Sequence, residues 1–140
     1  MAEGSTRPVR IAVLGTGRMA ANHVDHFRSI DSVTVVAGID TRQPQLASFC
    51  DQYGIANRFS SLEDALHWGE FDALANVTPD AAHHATTLPV LAAGKHILCE
   101  KPLATSEADA IEKAEAARHA GVVAMVNLSY RRVEALQKAA

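Results

Sequence analysis

Val9-Arg10-Ile11-Ala12-Val13-Leu14-Gly15-Thr16-Gly17-Arg18-Met19-Ala20 decides the fold of this 140-residue chain. An apolar run of strand length leads into a turn with two glycines and then into the start of an amphipathic helix. Three demands account for the spacing. Gly15 lets the chain turn sharply out of the strand. Gly17 has no Cβ, so a pyrophosphate can approach the backbone. Ala20 is small enough for the helix to lie close on the strand. The first N–H groups of such a helix lack intrahelical partners, and with the helix dipole they favour an anion. A second apolar run, Val33-Thr34-Val35-Val36-Ala37-Gly38-Ile39, ends on Asp40, 25 residues beyond Gly15. That is close to the roughly 20 residues expected for the acid that holds a ribose hydroxyl. A G-x-G-x-x-A turn alone marks no more than a tight strand–helix connection. Strand, turn, helix, strand and acid in this order read as a dinucleotide site.

The pattern continues outward from there. Residues 1–8 have no apolar period and are expected as a flexible tail. From Gly17 to Ile30, Ala20, Val24, Phe27 and Ile30 form one helical stripe. Pro44 suits the first turn of a second helix, with Gly54 as its stop. Ile55–Phe59 reads as a short third strand. Ser60 and Glu63 have capping-box spacing ahead of Leu62, Ala65, Leu66 and Trp68. Phe71–Val77 reads as a buried strand that empties into Thr78-Pro79-Asp80. The next helix spans Ala81–Ala93 and stops at Gly94, and Pro89 inside it predicts a kink or an early end. His96–Cys99 is a fifth strand, emptying into Glu100-Lys101-Pro102. Thr105 or Ser106 caps a helix to about His119, with Glu107 and Asp109 in its first turn. Val122–Val126 is a sixth strand, and Tyr130–Ala140 has the composition of a further helix.

This alternation predicts the α/β class: a Rossmann-type, doubly wound parallel sheet covered on both faces. Residues 9–128 form the dinucleotide-binding domain in this reading, and residues 129–140 begin a connection to a further domain. The last helix reaches Gln137-Lys138-Ala139-Ala140 without a cap or polar tail, and the chain is expected to be part of a longer one.

Composition narrows the function. With 48% hydrophobic and 21% charged residues the chain is an ordinary globular one. A net charge of −3 offers no attraction for nucleic acid or an anionic membrane. Met1–Pro8 is polar and the run after it only strand length, so no signal peptide is expected. Cys50 and Cys99 make no disulfide framework, and a reducing cytoplasm is the simplest compartment. Among the seven histidines, His23 and His26 are three apart on a helix and His83 and His84 are adjacent. His23 falls inside the apolar stripe, which suits a packed, hydrogen-bonded ring. Without a close Cys–His spacing or H-E-x-x-H, no metal site is expected. No G-x-S-x-G elbow is present, nor a Gly-Lys-Ser/Thr after the first turn, which argues against a nucleophile-elbow hydrolase and a P-loop. A methyltransferase shares the glycine turn and the acid, but its first strand usually ends on an acid, whereas this one ends Val13-Leu14-Gly15.

In a parallel sheet, ligands bind beyond the carboxyl ends of the strands. Four ends carry chemistry here: Gly15-Thr16-Gly17, Asp40-Thr41-Arg42, Thr78-Pro79-Asp80 with His83-His84, and Glu100-Lys101-Pro102. At these residues the chain resembles the glucose–fructose oxidoreductase, inositol dehydrogenase and MocA-like oxidoreductases. Gly15-x-Gly17-x-x-Ala20, Asp40, Val77-Thr78-Pro79-x-x-x-His83, Ala93-Gly94-Lys95-His96-x-x-x-Glu100-Lys101-Pro102 and Tyr130-Arg131-Arg132 carry the resemblance, which covers nearly all of the chain from Val9 on. Glu134 stands where relatives often have proline.

The resemblance implies a two-domain enzyme that transfers hydride between NAD or NADP and a hydroxyl carbon of a sugar, cyclitol or related polyol. It places Lys101 near the nicotinamide and the reacting hydroxyl as the catalytic residue. Thr78, Pro79 and His83 fall beside the nicotinamide ribose. Gly15, Thr16, Gly17, Arg18, Met19, Asp40, Arg42, Val77 and Glu100 complete the expected cofactor contacts. Substrate-reading residues lie beyond Ala140, so the isolated domain is expected to bind cofactor without turnover, and the complete enzyme to be a homo-oligomer. Asp40 can accept hydrogen bonds from a ribose diol and repel a 2′-phosphate, which favours NAD, while Arg42 compensates and admits NADP. Removing hydride from a carbinol requires the hydroxyl proton to leave, so a base or relay at Lys101 is useful. Glu100 opposes a neutral lysine if its carboxylate points the same way. The alternative reading is a non-catalytic dinucleotide-binding sensor or assembly module, which has no chemical need for a lysine after the fifth strand.

Overall fold

The β1 segment (Val9–Leu14) is apolar along its inner four residues because it sits mid-sheet with both faces covered. A computed structural model describes residues 7–128 and residue 138. After β1 come α1 (Arg18–Arg28), β2 (Val33–Ile39), α2 (Gln43–Tyr53), β3 (Asn57–Phe59), α3 (Leu62–Trp68), β4 (Ala73–Asn76), α4 (His83–Ala92), β5 (His96–Glu100), α5 (Glu107–Ala120) and β6 (Ala124–Asn127). A 3-10 turn at Asp80–Ala82 leads into α4. All neighbouring strands are parallel, in the order β3-β2-β1-β4-β5-β6. Strand order therefore reverses between β1 and β4.

The two-residue period of a strand feeds two cores from β1. Ile11 and Val13 face Ala20 and Val24 of α1 and Leu46, Phe49 and Cys50 of α2. Ala12 and Leu14 face the other way, with Ala65 of α3, Phe71, and Val90 and Leu91 of α4. Full burial of a side chain such as Leu74 or Ile39 contributes about 1.5–3 kcal/mol.

Several local expectations are corrected. The first helix stops at Arg28, and Ile30, expected on its apolar stripe, is 46% exposed. The cap of α3 is Ser61, whose hydroxyl accepts from the Asp64 amide at 3.1 Å. Ser60 and Glu63 have the same spacing, but Ser60 follows directly on β3 and lines a cavity. The α4 helix runs through Pro89 to Ala92 without an early stop. Pro89 and Ala85 are both exposed, so water can take the carbonyl that proline leaves unpaired. The fourth strand is only Ala73–Asn76, shorter at both ends than the apolar run Phe71–Val77. Ser106, not Thr105, caps α5.

Arg7, placed in the expected tail, donates two hydrogen bonds to Asp72 at 2.7 and 2.9 Å. Arg10 adds its amide and its guanidinium. These bonds, Arg7 first and Arg10 next, hold the Asp72 carboxyl far below the usual carboxylate range against the cost of burial. Apart from Lys138, the helix expected over Tyr130–Ala140, with Arg131, Arg132 and Glu134, lies outside the described residues. Among the described residues no helix is long and apolar enough to cross a membrane.

Candidate functional site

The turn after β1 packs directly onto the exit of β4. Gly15 has φ +87°, and a Cβ there would lie 2.6 Å from the Val77 carbonyl oxygen. Only glycine fits that turn. Gly17 differs. Its backbone is extended, at φ −78° and ψ −170°, and a Cβ there would meet nothing nearer than Gln45 Nε2 at 3.8 Å. The protein itself has room for a side chain at 17, and that room opens on the cavity described below. No side chain caps α1 and no acid sits in its first turn, so its leading N–H groups are left for an outside anion.

Asp40 holds this turn in place. Its Oδ2 accepts from the Thr16 amide at 2.9 Å and from Thr16 Oγ1 at 2.8 Å, and its Oδ1 accepts from the Arg42 amide at 2.9 Å. The Arg42 guanidinium closes over the carboxylate at 3.3 and 3.4 Å. Burial pushes the Asp40 carboxyl up, but the hydrogen bonds from Arg42 and Thr16 outweigh it, and the net shift is downward. The acid expected to be open to a ribose diol is thus engaged inside the protein. The outward group is Arg42, whose side chain is 66% exposed.

A buried asparagine shapes the next loop. Asn76, at the end of β4, donates from Nδ2 to Thr86 Oγ1 at 2.8 Å and to Thr87 Oγ1 at 3.1 Å. Its Oδ1 accepts from Thr78 Oγ1 at 2.7 Å and from the Thr78 amide at 3.3 Å. Every polar position of the amide is used, which fixes the path of Val77-Thr78-Pro79.

Glu100 ends β5 inside the protein. Its Oε1 pairs with His23 Nε2 at 2.6 Å and accepts from Asn127 Nδ2 at 2.8 Å, while Oε2 accepts from the Lys101 amide at 3.3 Å. Burial raises its carboxyl, and the bonds from Asn127 and His23 bring it below the usual value. Glu100 therefore faces α1 and β6, not the Lys101 side chain. Lys101 is exposed, and its side chain has no hydrogen-bond or salt-bridge partner among the described residues.

A cavity of about 590 Å³ occupies the carboxyl edge where the strand order reverses. Gly15, Gly17, Arg18, Met19, Asp40, Arg42, Val77, Thr78 and Pro79, all expected site residues, line it. Thr16 and His83 lie behind that wall, buried, with their polar atoms bound to Asp40 and to backbone carbonyls. Glu100 and Lys101 stand off it at the end of β5. Sequence reasoning missed Ser60, Ser61 and Leu62, which line the cavity from the end of β3. Their signal was available, since they follow a strand at its carboxyl end. His23 and His26 do not converge on a ligand set. Among the described residues, His84, Asp109 and Glu112 form a group whose ligand atoms lie within 4.8 Å of one another. There His84 Nε2 meets Glu112 at 2.7 Å across the contact of α4 with α5, and none of the three lines the cavity.

A parallel sheet with this strand order, and a cavity over an uncapped helix N-terminus at its switch point, define a dinucleotide-binding Rossmann domain. The chain belongs to the oxidoreductase family with an NAD-binding Rossmann fold, the glucose–fructose oxidoreductase, inositol dehydrogenase and MocA group, whose pattern matches residues 9–128. It is 33% identical over 123 residues to the 4-carboxy-2-hydroxymuconate-6-semialdehyde dehydrogenase of Sphingobium sp., which is 88% of this chain and 39% of that protein. It is 35% identical over 112 residues to the inositol 2-dehydrogenase of Leifsonia xyli subsp. xyli, 79% of this chain and 33% of that one. The WlbA dehydrogenase from Bordetella pertussis, solved in complex with NADH and UDP-GlcNAcA, superposes with a TM-score of 0.89 at 34% identity. That match covers 94% of this chain and 40% of the WlbA chain. This chain spans well under half of the length of each of these relatives.

Proposed function

We propose that this chain is the nucleotide-binding part of an NAD(P)-dependent oxidoreductase that transfers hydride to or from a hydroxyl carbon of a sugar, cyclitol or related polyol. The observation that carries the reading is the open side-chain position at Gly17, facing a cavity at the N-terminus of α1. Nothing in the protein needs glycine there, whereas a pyrophosphate does. In this reading residues 9–128 are the cofactor domain and residues 129–140 lead towards a substrate domain.

The residues present suit the group. The amides at Gly17, Arg18 and Met19 receive the pyrophosphate. Asp40 and Arg42 meet the adenine ribose, and Val77-Thr78-Pro79 forms the wall towards the nicotinamide. The bound cofactor supplies a two-electron hydride acceptor. Lys101, whose side chain has no partner among the described residues, would carry the hydroxyl proton away as the C–H bond is broken. An inositol and a UDP-sugar acid in the relatives' names support a polyol or sugar over the aldehyde of the third. A reducing cytoplasm suits the two free thiols, Cys50 and Cys99, and the complete enzyme is read as a homo-oligomer.

The test is an absorbance assay for NADH and NADPH over a panel of sugars and cyclitols in the full-length protein, with calorimetry of cofactor binding. Lys101→Met should leave cofactor affinity unchanged and lower turnover by about 10²–10⁴-fold. Failure to bind either cofactor overturns the reading. Binding without turnover on any substrate leaves a dinucleotide-binding module in its place.

A further inference from the structure

Lys113 is the buried residue of α5, only 3% exposed. Lysine is almost never buried so far unless it is paired, and no carboxylate pairs with this one. Glu112, beside it on α5, turns to His84, and Glu100 is taken by His23 and Asn127. Burial pushes the Lys113 amine below the usual lysine value, with Cys99 opposing only in part. Its nitrogen donates to the Leu103 carbonyl and lies 3.8 Å from Cys99 Sγ. An amine has N–H groups to give whether it is charged or neutral, so the bond to the carbonyl stands in either state. A methionine would fill similar space with no amine to desolvate. What lysine adds is the donor, and its place is explained by the carbonyl it serves.

That carbonyl belongs to a stretch with little else to hold it. The β5–β6 ladder ends at the Glu100–Asn127 pair, and Ser106 caps α5. Between them, from Pro102 to Thr105, no backbone group bonds another backbone group among the described residues. Side chains do the holding: the Pro102 oxygen lies 2.8 Å from His83 Nδ1, and the Leu103 oxygen receives Lys113. Packing does not fix the stretch either. Leu103 is 37% exposed, and it shares with Lys113 the wall of a cavity of about 220 Å³ that leaves the loop room to shift.

Lys101 stands between the end of the ladder and these two held carbonyls. Its exposed side chain has no partner among the described residues, so the backbone alone sets where its reach begins. We propose that Lys113 is a positioning residue for Lys101, fixing from α5 the loop that presents the Lys101 amine. The inference rests on the hydride-transfer reading above for its effect on turnover.

In the full-length protein, Lys113→Met removes the donor and nearly keeps the length. Its kcat should fall roughly 10–100-fold, as for a displaced catalytic group, with calorimetric affinity for NAD and NADP unchanged. Lys113→Arg keeps donors, and the adjoining cavity takes its larger head, so most of the lost kcat should return. Parent-like kcat in Lys113→Met, equal loss in both variants, or a loss that appears in cofactor affinity instead overturns the positioning role. Two further readouts need no turnover. Hydrogen exchange over residues 100–106 should quicken in Lys113→Met while β1 keeps the parent's rate, and an unchanged loop refutes the tie. Reductive methylation of the native parent, read by mass spectrometry, should modify Lys101 and spare Lys113. A methylated Lys113 refutes the tie even where no variant folds. A parent that turns over no substrate sinks the hydride-transfer reading, while exchange and methylation still decide whether Lys113 holds the loop.

Discussion

Gly15 and Gly17, two residues apart in one turn, should fail in opposite ways when given a side chain. Gly15→Ala places a Cβ 2.6 Å from the Val77 carbonyl oxygen on a backbone at φ +87°. The backbone conformation costs an L-residue about 1–2 kcal/mol, and overpacking against an atom that cannot swing away adds about 1–3 kcal/mol. The variant should lose about 2–5 kcal/mol of a stability that for such domains is about 5–15 kcal/mol. Gly17→Val meets neither penalty, since φ is −78° and the nearest atom is the end of a glutamine side chain at 3.8 Å. A poorer N-cap residue costs it less than about 1 kcal/mol. What it loses is the ligand. Each hydrogen bond from a backbone amide to a phosphate is worth about 1.5–3 kcal/mol, so blocking two weakens binding by about 10²–10⁴-fold. Urea unfolding read from Trp68, the one tryptophan, reports the first effect, and calorimetry with NAD reports the second. Parent-like affinity in Gly17→Val would show that the pyrophosphate does not cross this turn, and a parent-like unfolding midpoint in Gly15→Ala would refute the clash.

Arg42→Ala should weaken NADP more than NAD, by about 10-fold for the loss of one charge-assisted contact, because the guanidinium is the exposed member of the Asp40 pair; equal loss of both, measured by titration, would remove Arg42 from cofactor choice. Acid should unfold the chain through Asp72, Asp40 and Glu100, all held below their ordinary values. Depressed folded-state values mean that the unfolded chain binds more protons in acid, so their stabilisation is complete above the ordinary carboxylate range and drains away as pH falls below about 4. Urea midpoints measured across pH should show that fall, and Asp72→Asn should flatten it. Burial pushes both the Cys50 and the Cys99 thiols up, so neither should react with a disulfide reagent until urea unfolds the chain; fast labelling in buffer would contradict their burial.

The elements legible in the sequence were those fixed by local pattern. Val9–Leu14 and Val33–Ile39 are apolar runs because central parallel strands are covered on both faces, and they appear with those bounds. The α3 cap was misplaced because Ser60-Ser61 and Glu63-Asp64 satisfy one spacing twice, and only the exit of β3 chooses between them. Glu100 was expected among the cofactor contacts, and its burial was not legible because its partner His23 lies 77 residues away, beyond any local pattern. The same holds for Asp40. Its type and interval marked it, but the Thr16 and Arg42 amides that occupy it are set by the fold. The loop after β3 was passed over because its residues, two serines and a leucine, carry no chemistry of their own.

The residues with the strongest chemical signature are thus not, for the most part, the ones that face the cavity. Asp40, Asn76, His83 and Glu100 are each buried at the carboxyl edge, and each ties together segments that meet there. Asp40 joins the first turn to the exit of β2, Asn76 joins the exit of β4 to α4, His83 joins the loops after β4 and β5, and Glu100 joins β5 to α1 and β6. A cavity wall of glycine, threonine and proline has few side-chain groups with which to hold itself, so its shape must come from behind. A buried polar group left without its partner costs about 1–3 kcal/mol, which makes each tie specific as well as strong. The edge built this way presents backbone amides and two exposed cations, Arg18 and Arg42, to the cavity. The acids that a motif search finds first are spent on keeping those amides where they are.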